Sequence, residues 1–157
     1  MNYVTGNLID LAEQGHFDII VQGCNCFNTM NSGLAKEIKS RYPEVAVCDQ
    51  KTSAGDYNKL GNFTASGTIF NRDHNFIVVN AYTQFDYGRD GKDRFEYTAF
   101  NLILQKLAFR WGYSKFGFPM IGCGLAGGDE KRIMTNIRGF AETIAPSGGT
   151  VTIVRMP

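Results

Sequence analysis

Two stretches, FDIIVQ (Phe17–Gln22) and FIVVNAY (Phe76–Tyr82), are continuous apolar runs only a few residues long. Such runs, with no alternation of polar residues, mark strands buried on both faces. A sheet covered on both faces needs a helical layer on each side, and the helical periodicity supplies them. In RFEYTAFNLILQKLAFRW, Phe100, Ile103, Leu104, Leu107 and Trp111 recur at i, i+3, i+4, i+7 and i+11, which is one helix face. Ile133, Ile137, Phe140, Ala141 and Ile144 repeat that rhythm. Shorter helices fit Leu8–Gln14 and Leu34–Tyr42, the second stopped by Pro43. FTASGTIF (Phe63–Phe70) alternates and reads as a strand with one drier face, and KFGFPM and TVTIVRM give two more strands. The expected fold class is α/β, a sandwich around a largely buried mixed sheet.

The chain has 157 residues, the size of one domain, and no linker divides it, so residues 1–157 are expected to be a single domain. No apolar run approaches the ~20 residues of a membrane span, and the N-terminus lacks a basic leader followed by a long apolar stretch. A cytoplasmic protein with no membrane partner is the simplest expectation. Net charge is +1, and the densest basic stretch, GRDGKDR (Gly88–Arg94), is interrupted by acids. That argues against a nucleic-acid backbone as main partner, since neutralising phosphates needs a basic field. One nucleotide held by a few groups stays open. The four cysteines, Cys24, Cys26, Cys48 and Cys123, do not form two C-x-x-C pairs, and His16 and His74 lie far off. They read as free thiols of a reducing compartment. Neither metal nor cofactor is called for.

Two strands run into loops rich in glycine and small polar residues, each followed by a helix. The first is CNCFNTMNSGLA (Cys24–Ala35), the second FPMIGCGLAGGD (Phe118–Asp129). Ligands of open α/β sheets bind outside the carboxyl ends of strands. Glycines let the backbone approach an anion, and the next helix offers free N–H groups and the positive end of its dipole. Each hydrogen bond to a charged oxygen contributes about 1.5–3 kcal/mol. Two such corners at one sheet edge would clamp two phosphates. Gly122, Gly124 and Gly127 spell G-x-G-x-x-G, but a dinucleotide fold does not fit. Only one helix and one strand remain after Gly127, and Glu142, the nearest acid for a ribose, falls inside that helix.

Together, VTGNLID, IIVQGCNCFNTMNSGLAKEI, IVVNAYTQ, PMIGCGLAGGDEKRI and the terminal VTIVRM resemble, in order and over essentially the whole chain, a macro domain. The chain is similar to the branch containing ADP-ribose-1″-phosphate phosphatases and related ADP-ribosyl-glutamate hydrolases. The resemblance implies a three-layer α/β/α sandwich that binds ADP-ribose. It also implies metal-independent hydrolysis of ADP-ribose-1″-phosphate to ADP-ribose and phosphate. The alternatives are a non-catalytic ADP-ribose reader, or a hydrolase removing ADP-ribose from protein or nucleic acid.

The resemblance assigns Asn25 and Asp129 to ribose and water. Asn25 alone would read as closing a turn, and Asp129 as capping the last helix. Ligand contacts are expected from Asn25, Ser32, Gly33 and Leu34 in the first corner. The second corner contributes Ile121, Gly122, Cys123, Gly124, Leu125, Ala126 and Gly127. Ser32 also reads as a helix cap, and Cys123 as a packed small residue with no adjoining base. Gln84 opens a polar, aromatic loop, Gln84–Lys92, long enough to line a site. At the base end, Asn7 and Leu8 follow Gly6 where the family usually has Gly-Asp, and Arg155 stands where many members stack an aromatic ring on adenine. The glutamate-deconjugating members carry a Lys near the end of the strand matching IVVNAYTQ and an Asp directly after GCGL. Thr83–Gln84 and Ala126 stand there instead, which removes that branch's lysine-adduct route. Gln22 replaces the His found before Cys-Asn-Cys in some phosphatase members.

Overall fold

The computed structural model describes residues 1–31, 33–124 and 126–157. Its elements in chain order are β1 (Asn2–Thr5), α1 (Leu8–Glu13), β2 (Ile19–Cys24), α2 (Gly33–Arg41), α3 (Pro43–Gln50) and β3 (Phe63–Ala65). They continue with β4 (Ile77–Tyr82), α4 (Tyr97–Trp111), β5 (Lys115–Phe118), α5 (Glu130–Ile144) and β6 (Thr150–Arg155). One six-stranded sheet has the order β1-β6-β5-β2-β4-β3. Its neighbours are parallel except β3 and β4, which are antiparallel, so the sheet is mixed.

The apolar runs behave as their composition requires. On β2 and β4, Ile19, Val21, Val79 and Ala81 face one hydrophobic cluster while Ile20 and Val78 face another. The first cluster is built with α4 and α5, through Phe100, Ile103, Leu104 and Leu107 and through Ile133, Ile137, Phe140 and Ile144. The second is built with the other three helices, through Leu8, Ile9 and Ala12 of α1, Ile38 of α2, and Val45 and Ala46 of α3. Full burial of one such large apolar side chain contributes about 1.5–3 kcal/mol. The result is three layers. No helix among the described residues is long and apolar enough to cross a membrane.

Three elements differ from the sequence-based expectation. Pro43 stops α2, as expected, but it also begins α3 as that helix's first residue, where its missing N–H has no intrahelical role. One of the three buried positions of α3 is Asp49, so its sequence shows no clean apolar face. The strand expected over Phe63–Phe70 spans only Phe63–Ala65. Phe63 and Ala65 pack on the α4/α5 side, whereas Ile69 is buried in the opposite cluster. The chain therefore changes faces around Ser66–Gly67, and only an Ile69–Phe76 bridge pairs beyond it. Finally, β1 has no expected counterpart. All four of its residues are exposed, and it exists because β6 pairs with it.

Candidate ligand cleft at the strand switch

The sheet opens where β2 and β5 part. Their ladder consists of Ile19 opposite Phe116 and Ile20 opposite Gly117, while β2 and β4 stay paired through Cys24 and Tyr82. From β2 the chain continues through α2 and α3 towards β4, and from β5 through α5 to β6 on the other side. Strand order thus reverses between β2 and β5, the place where open α/β sheets form a crevice. A cleft of about 550 Å³ lies there.

One wall comes from the first glycine-rich corner, with Asn25, Thr29, Asn31 and the first turn of α2, Gly33–Ala35. Side chains hold this loop in shape. Asn25 Oδ1 accepts from the Phe27 amide at 2.8 Å and its Nδ2 donates to Thr29 Oγ1 at 2.7 Å. Asn28 has a left-handed backbone, φ 60°, tolerated by Asn better than by most residues. Its Nδ2 donates to the Thr52 carbonyl at 2.7 Å, and its Oδ1 accepts from Thr52 Oγ1 and from the Lys59 ammonium. Buried Lys59 also donates to the carbonyls of Cys26 at 3.0 Å and Ser53 at 3.3 Å, and lies 4.9 Å from the centre of the Tyr82 ring. Behind the loop Phe27 meets Phe85 edge-on, and Phe85 stacks on Tyr57 at 3.6 Å.

The opposite wall is the second corner, lined by Pro119–Gly122, Gly124 and Ala126. Here the backbone does the shaping. The Gly128 amide donates to the Gly122 carbonyl at 2.8 Å, and that of Gly127 to Gly124 at 3.0 Å. Gly122 and Gly127 have φ +75° and +70°; a Cβ would lie 2.3 Å from the Phe95 ring at Gly122 and 2.6 Å from the Lys92 carbonyl at Gly127. Both glycines are demanded by packing. Gly124 is different: a Cβ there would meet nothing within 4 Å. The rim is the loop after β4, with Gln84, Tyr87, Gly88 and Arg89. Arg94 closes that loop with a bidentate pair to Asp90 and a 3.0 Å contact to Asp86. The Arg94 hydrogen bonds hold the Asp90 carboxyl well below the usual carboxylate range.

At the floor, Gln22 is 2% exposed and Thr83 1%. Gln22 Nε2 donates to Asn80 Oδ1 at 2.8 Å. Among the described residues Gln22 Oε1 and Thr83 Oγ1 have no hydrogen-bond partner. Leaving such a group unpaired costs about 1–3 kcal/mol. Cys24 also lines the cleft, and burial, then the charge of Asp49, pushes its thiol up. Arg89 is the cation among the described lining residues, which include no carboxylate and no histidine.

The chain is 34% identical over 136 residues to the uncharacterized 17.5 kDa protein in the tk-vs intergenic region of Enterobacteria phage T4, covering 82% of each chain. The chain belongs to that protein's family. No family model matches it. Among solved structures it superposes on the macrodomain of Mycobacterium tuberculosis DarG with a TM-score of 0.74, at 17% identity, over 98% of this chain and 95% of the other. The Trypanosoma brucei macrodomain in complex with ADP-ribose gives 0.67 at 15% identity, over 98% of this chain and 62% of the other. The fold is that of a macrodomain.

Within that fold the sequence-named residues separate into two groups. Asn25, Gly33, Leu34, Gln84, Ile121, Gly122, Gly124 and Ala126 line the cleft. Ser32 and Leu125 lie outside the described residues. The others sit elsewhere. Asn7 caps α1, accepting from the Asp10 amide at 2.9 Å and donating to Glu37 at 3.1 Å. Leu8 is buried in the core beside it. Arg155 pairs with Glu130 at 2.8 Å, both half exposed. Gly127 supports the second corner from outside the cleft, and Asp129 Oδ1 caps α5 through the amides of Lys131 at 2.9 Å and Arg132 at 3.3 Å. Cys123 is half-buried against the Ile121 carbonyl, and burial, then Glu130, raises its thiol. It is no ready nucleophile. Sequence reasoning named Gln22 and Thr83 only as departures from family residues. Thr29, Tyr87 and Arg89 carried no signal of their own beyond the loops that hold them.

Proposed function

We propose that this protein binds ADP-ribose in the cleft between the carboxyl ends of β2 and β5. The observation that carries the reading is the cleft itself: about 550 Å³ at the strand switch, flanked by two glycine-rich corners. The volume suits a nucleotide-sized ligand. Macrodomains of the same fold, from Trypanosoma brucei and in Thermosipho africanus DarTG, are solved in complex with ADP-ribose. The first turn of α2 and Arg89 border the cleft and give the diphosphate amide donors, a helix dipole and a cation. Calorimetry is expected to give a micromolar dissociation constant for ADP-ribose, about 8 kcal/mol, and weaker binding of NAD. No binding at millimolar ADP-ribose would sink the reading.

Hydrolysis of ADP-ribose-1″-phosphate is the second reading, favoured by the same α2 terminus, which offers an anion-holding surface for charge developing on phosphate. Asn25 is the candidate side chain at the cleft. Asp129 would contribute only by leaving its cap, since its described contacts serve α5. Release of phosphate from ADP-ribose-1″-phosphate, set beside release of ADP-ribose from a modified macromolecule, separates binder, phosphatase and deconjugating hydrolase.

A further inference from the structure

Far from the cleft, β3 is the last strand in the sheet order. The Asn62 carbonyl accepts from the Tyr82 amide at 3.0 Å, and the Ser66 amide donates to the Val78 carbonyl at 2.9 Å. Backbone groups alternate in direction along a strand, so those of Phe63 and Ala65 point away from β4, to the outer edge. Among the described residues one side chain reaches them, Cys48 Sγ at 3.6 Å from the Ala65 carbonyl. Asn62–Ser66, NFTAS, carries no charge and no proline, the residues that usually keep an edge strand from pairing further. Beside this edge lies a groove of about 690 Å³, lined by Phe63, Leu102, Gln105, Lys106, Phe109 and Arg110. Phe109 is 95% exposed and Leu102 44%, so α4 turns apolar side chains outward here. Gly61, with φ +80°, would place a Cβ 3.2 Å from Leu102, and its carbonyl accepts from Lys106 at 2.8 Å. Helix and edge are held against each other, and the groove is preformed.

We propose that the free edge of β3 receives an extended, acidic and apolar segment of a partner protein as an added strand, with the groove taking its side chains. The groove shares no lining residue with the ADP-ribose cleft, and its use does not depend on ADP-ribose. In strand addition, main-chain hydrogen bonds give affinity and pockets for alternate side chains give specificity. The outward backbone groups of Phe63 and Ala65 supply the first. Phe63 packs on the α4/α5 side of the sheet, so side chains on that face of an added strand fall beside it, against Leu102 and Phe109. Charge selects the partner. Lys106 donates to the neutral Gly61 carbonyl and Asn62 Oδ1, and Arg110 lies 4.2 Å from the centre of the Trp111 ring. The described lining includes both cations and no carboxylate, so acidic residues on the incoming segment meet a complementary rim. A second copy of this chain would instead set the same cations against each other across a twofold axis.

The test pans a displayed library of random short peptides on the wild-type protein, with Phe109→Glu as the counter-selecting surface. Enriched peptides are expected to alternate apolar residues with Asp or Glu. Titrating one of them against the fluorescence of Trp111, the single tryptophan of the chain, 5.8 Å from Phe63, gives its affinity. Phe109→Glu and Arg110→Glu should each weaken it by roughly tenfold or more and leave thermal melting unchanged, because both side chains are exposed. Ala65→Pro removes an outward N–H without touching the β4 ladder and should weaken the peptide as well. Should that variant not fold, the same peptide N-methylated at alternate residues tests the main-chain bonds on wild type. No enrichment over Phe109→Glu, enrichment of basic peptides, or full affinity after backbone methylation overturns the proposal. So does a concentration-dependent dimer abolished by Phe109→Glu, which assigns the face to a second copy. Retention on phosphatidylserine vesicles, lost in the same variant, overturns it in favour of a membrane surface.

Discussion

The two glycine-rich corners face each other across one cleft, yet they are held by opposite means. The first, Cys24–Ala35, owes its shape to side chains: Asn25 ties its own turn, and Lys59 and Thr52 grip Asn28. The second owes its shape to the absence of side chains, with Phe95 and the Lys92 carbonyl filling the space a Cβ would need. Their helices differ too. The amides opening α5 are engaged by Asp129, whereas the first turn of α2 borders the cleft. Similar composition thus gives one corner that presents a helix end to ligand and one that presents bare backbone. A glycine motif read from sequence does not distinguish them, because positive φ, close packing and ligand approach all select glycine.

The contrast breaks most sharply at the second corner. Gly122→Ala is expected to destabilise the fold by about 1–3 kcal/mol through overpacking on Phe95, with about 1–2 kcal/mol more for a left-handed alanine. Gly124→Ala should leave stability within about 0.5 kcal/mol and weaken ADP-ribose binding if that wall approaches the ligand. Denaturant melts alongside calorimetry check both. Should the two variants lose equal stability, packing does not separate the two glycines.

At the first corner, Lys59→Met removes the donor to Cys26, Ser53 and Asn28 while keeping the stem. Each acceptor keeps a second donor, in Thr52 Oγ1 and the Gly55 and Asp56 amides, so the loss is that of the charged hydrogen bonds themselves, up to about 1.5–3 kcal/mol each. The loss should appear in denaturant melts and be joined by weaker ligand binding, because the wall bearing Asn25 is no longer pinned. Unaltered melting would mean that the loop does not depend on its side-chain ties.

Asp129→Ala is expected to cost about 0.5–2 kcal/mol as a lost cap, while Asp129→Ser restores most of it. If Asp129 is a cap only, both variants keep ADP-ribose affinity, and any phosphatase turnover survives in the Ser variant. A fall of about 10²–10⁴ in that turnover would instead assign the carboxylate a chemical role.

The smallest effect concerns the rim. Arg94 depresses the Asp90 carboxyl, so the pairing's contribution is fully present above the ordinary carboxylate pKa of about 3.9. It is lost only as pH falls from there through the lower folded value. Rim-loop order, read by limited proteolysis or amide exchange, should therefore be constant from pH 7 to 5. Asp90→Asn should give a more open loop throughout that range. A loop that loosens between pH 7 and 5 would show that another group holds it.

Much of this was legible in one dimension. The unbroken apolar runs of β2 and β4 and the helical spacing of Phe100–Leu107 and Ile133–Ile144 specify buried strands under helical layers, because periodicity records burial directly. Both glycine-rich corners and the Gln84–Lys92 loop were visible for the same local reason. The sequence left unread what depends on a distant partner. β1 is an exposed strand paired with β6, and α3 buries Asp49, whose Oδ1 accepts from the Tyr82 hydroxyl at 2.8 Å. Which glycine serves packing was decided by Phe95 and Lys92, far off in the chain. The placement of Gln22 against Asn80 in the cleft wall was decided by strand pairing across more than half a hundred residues. Composition and periodicity are local quantities, whereas unpaired buried polarity arises only when distant segments meet and water is excluded between them.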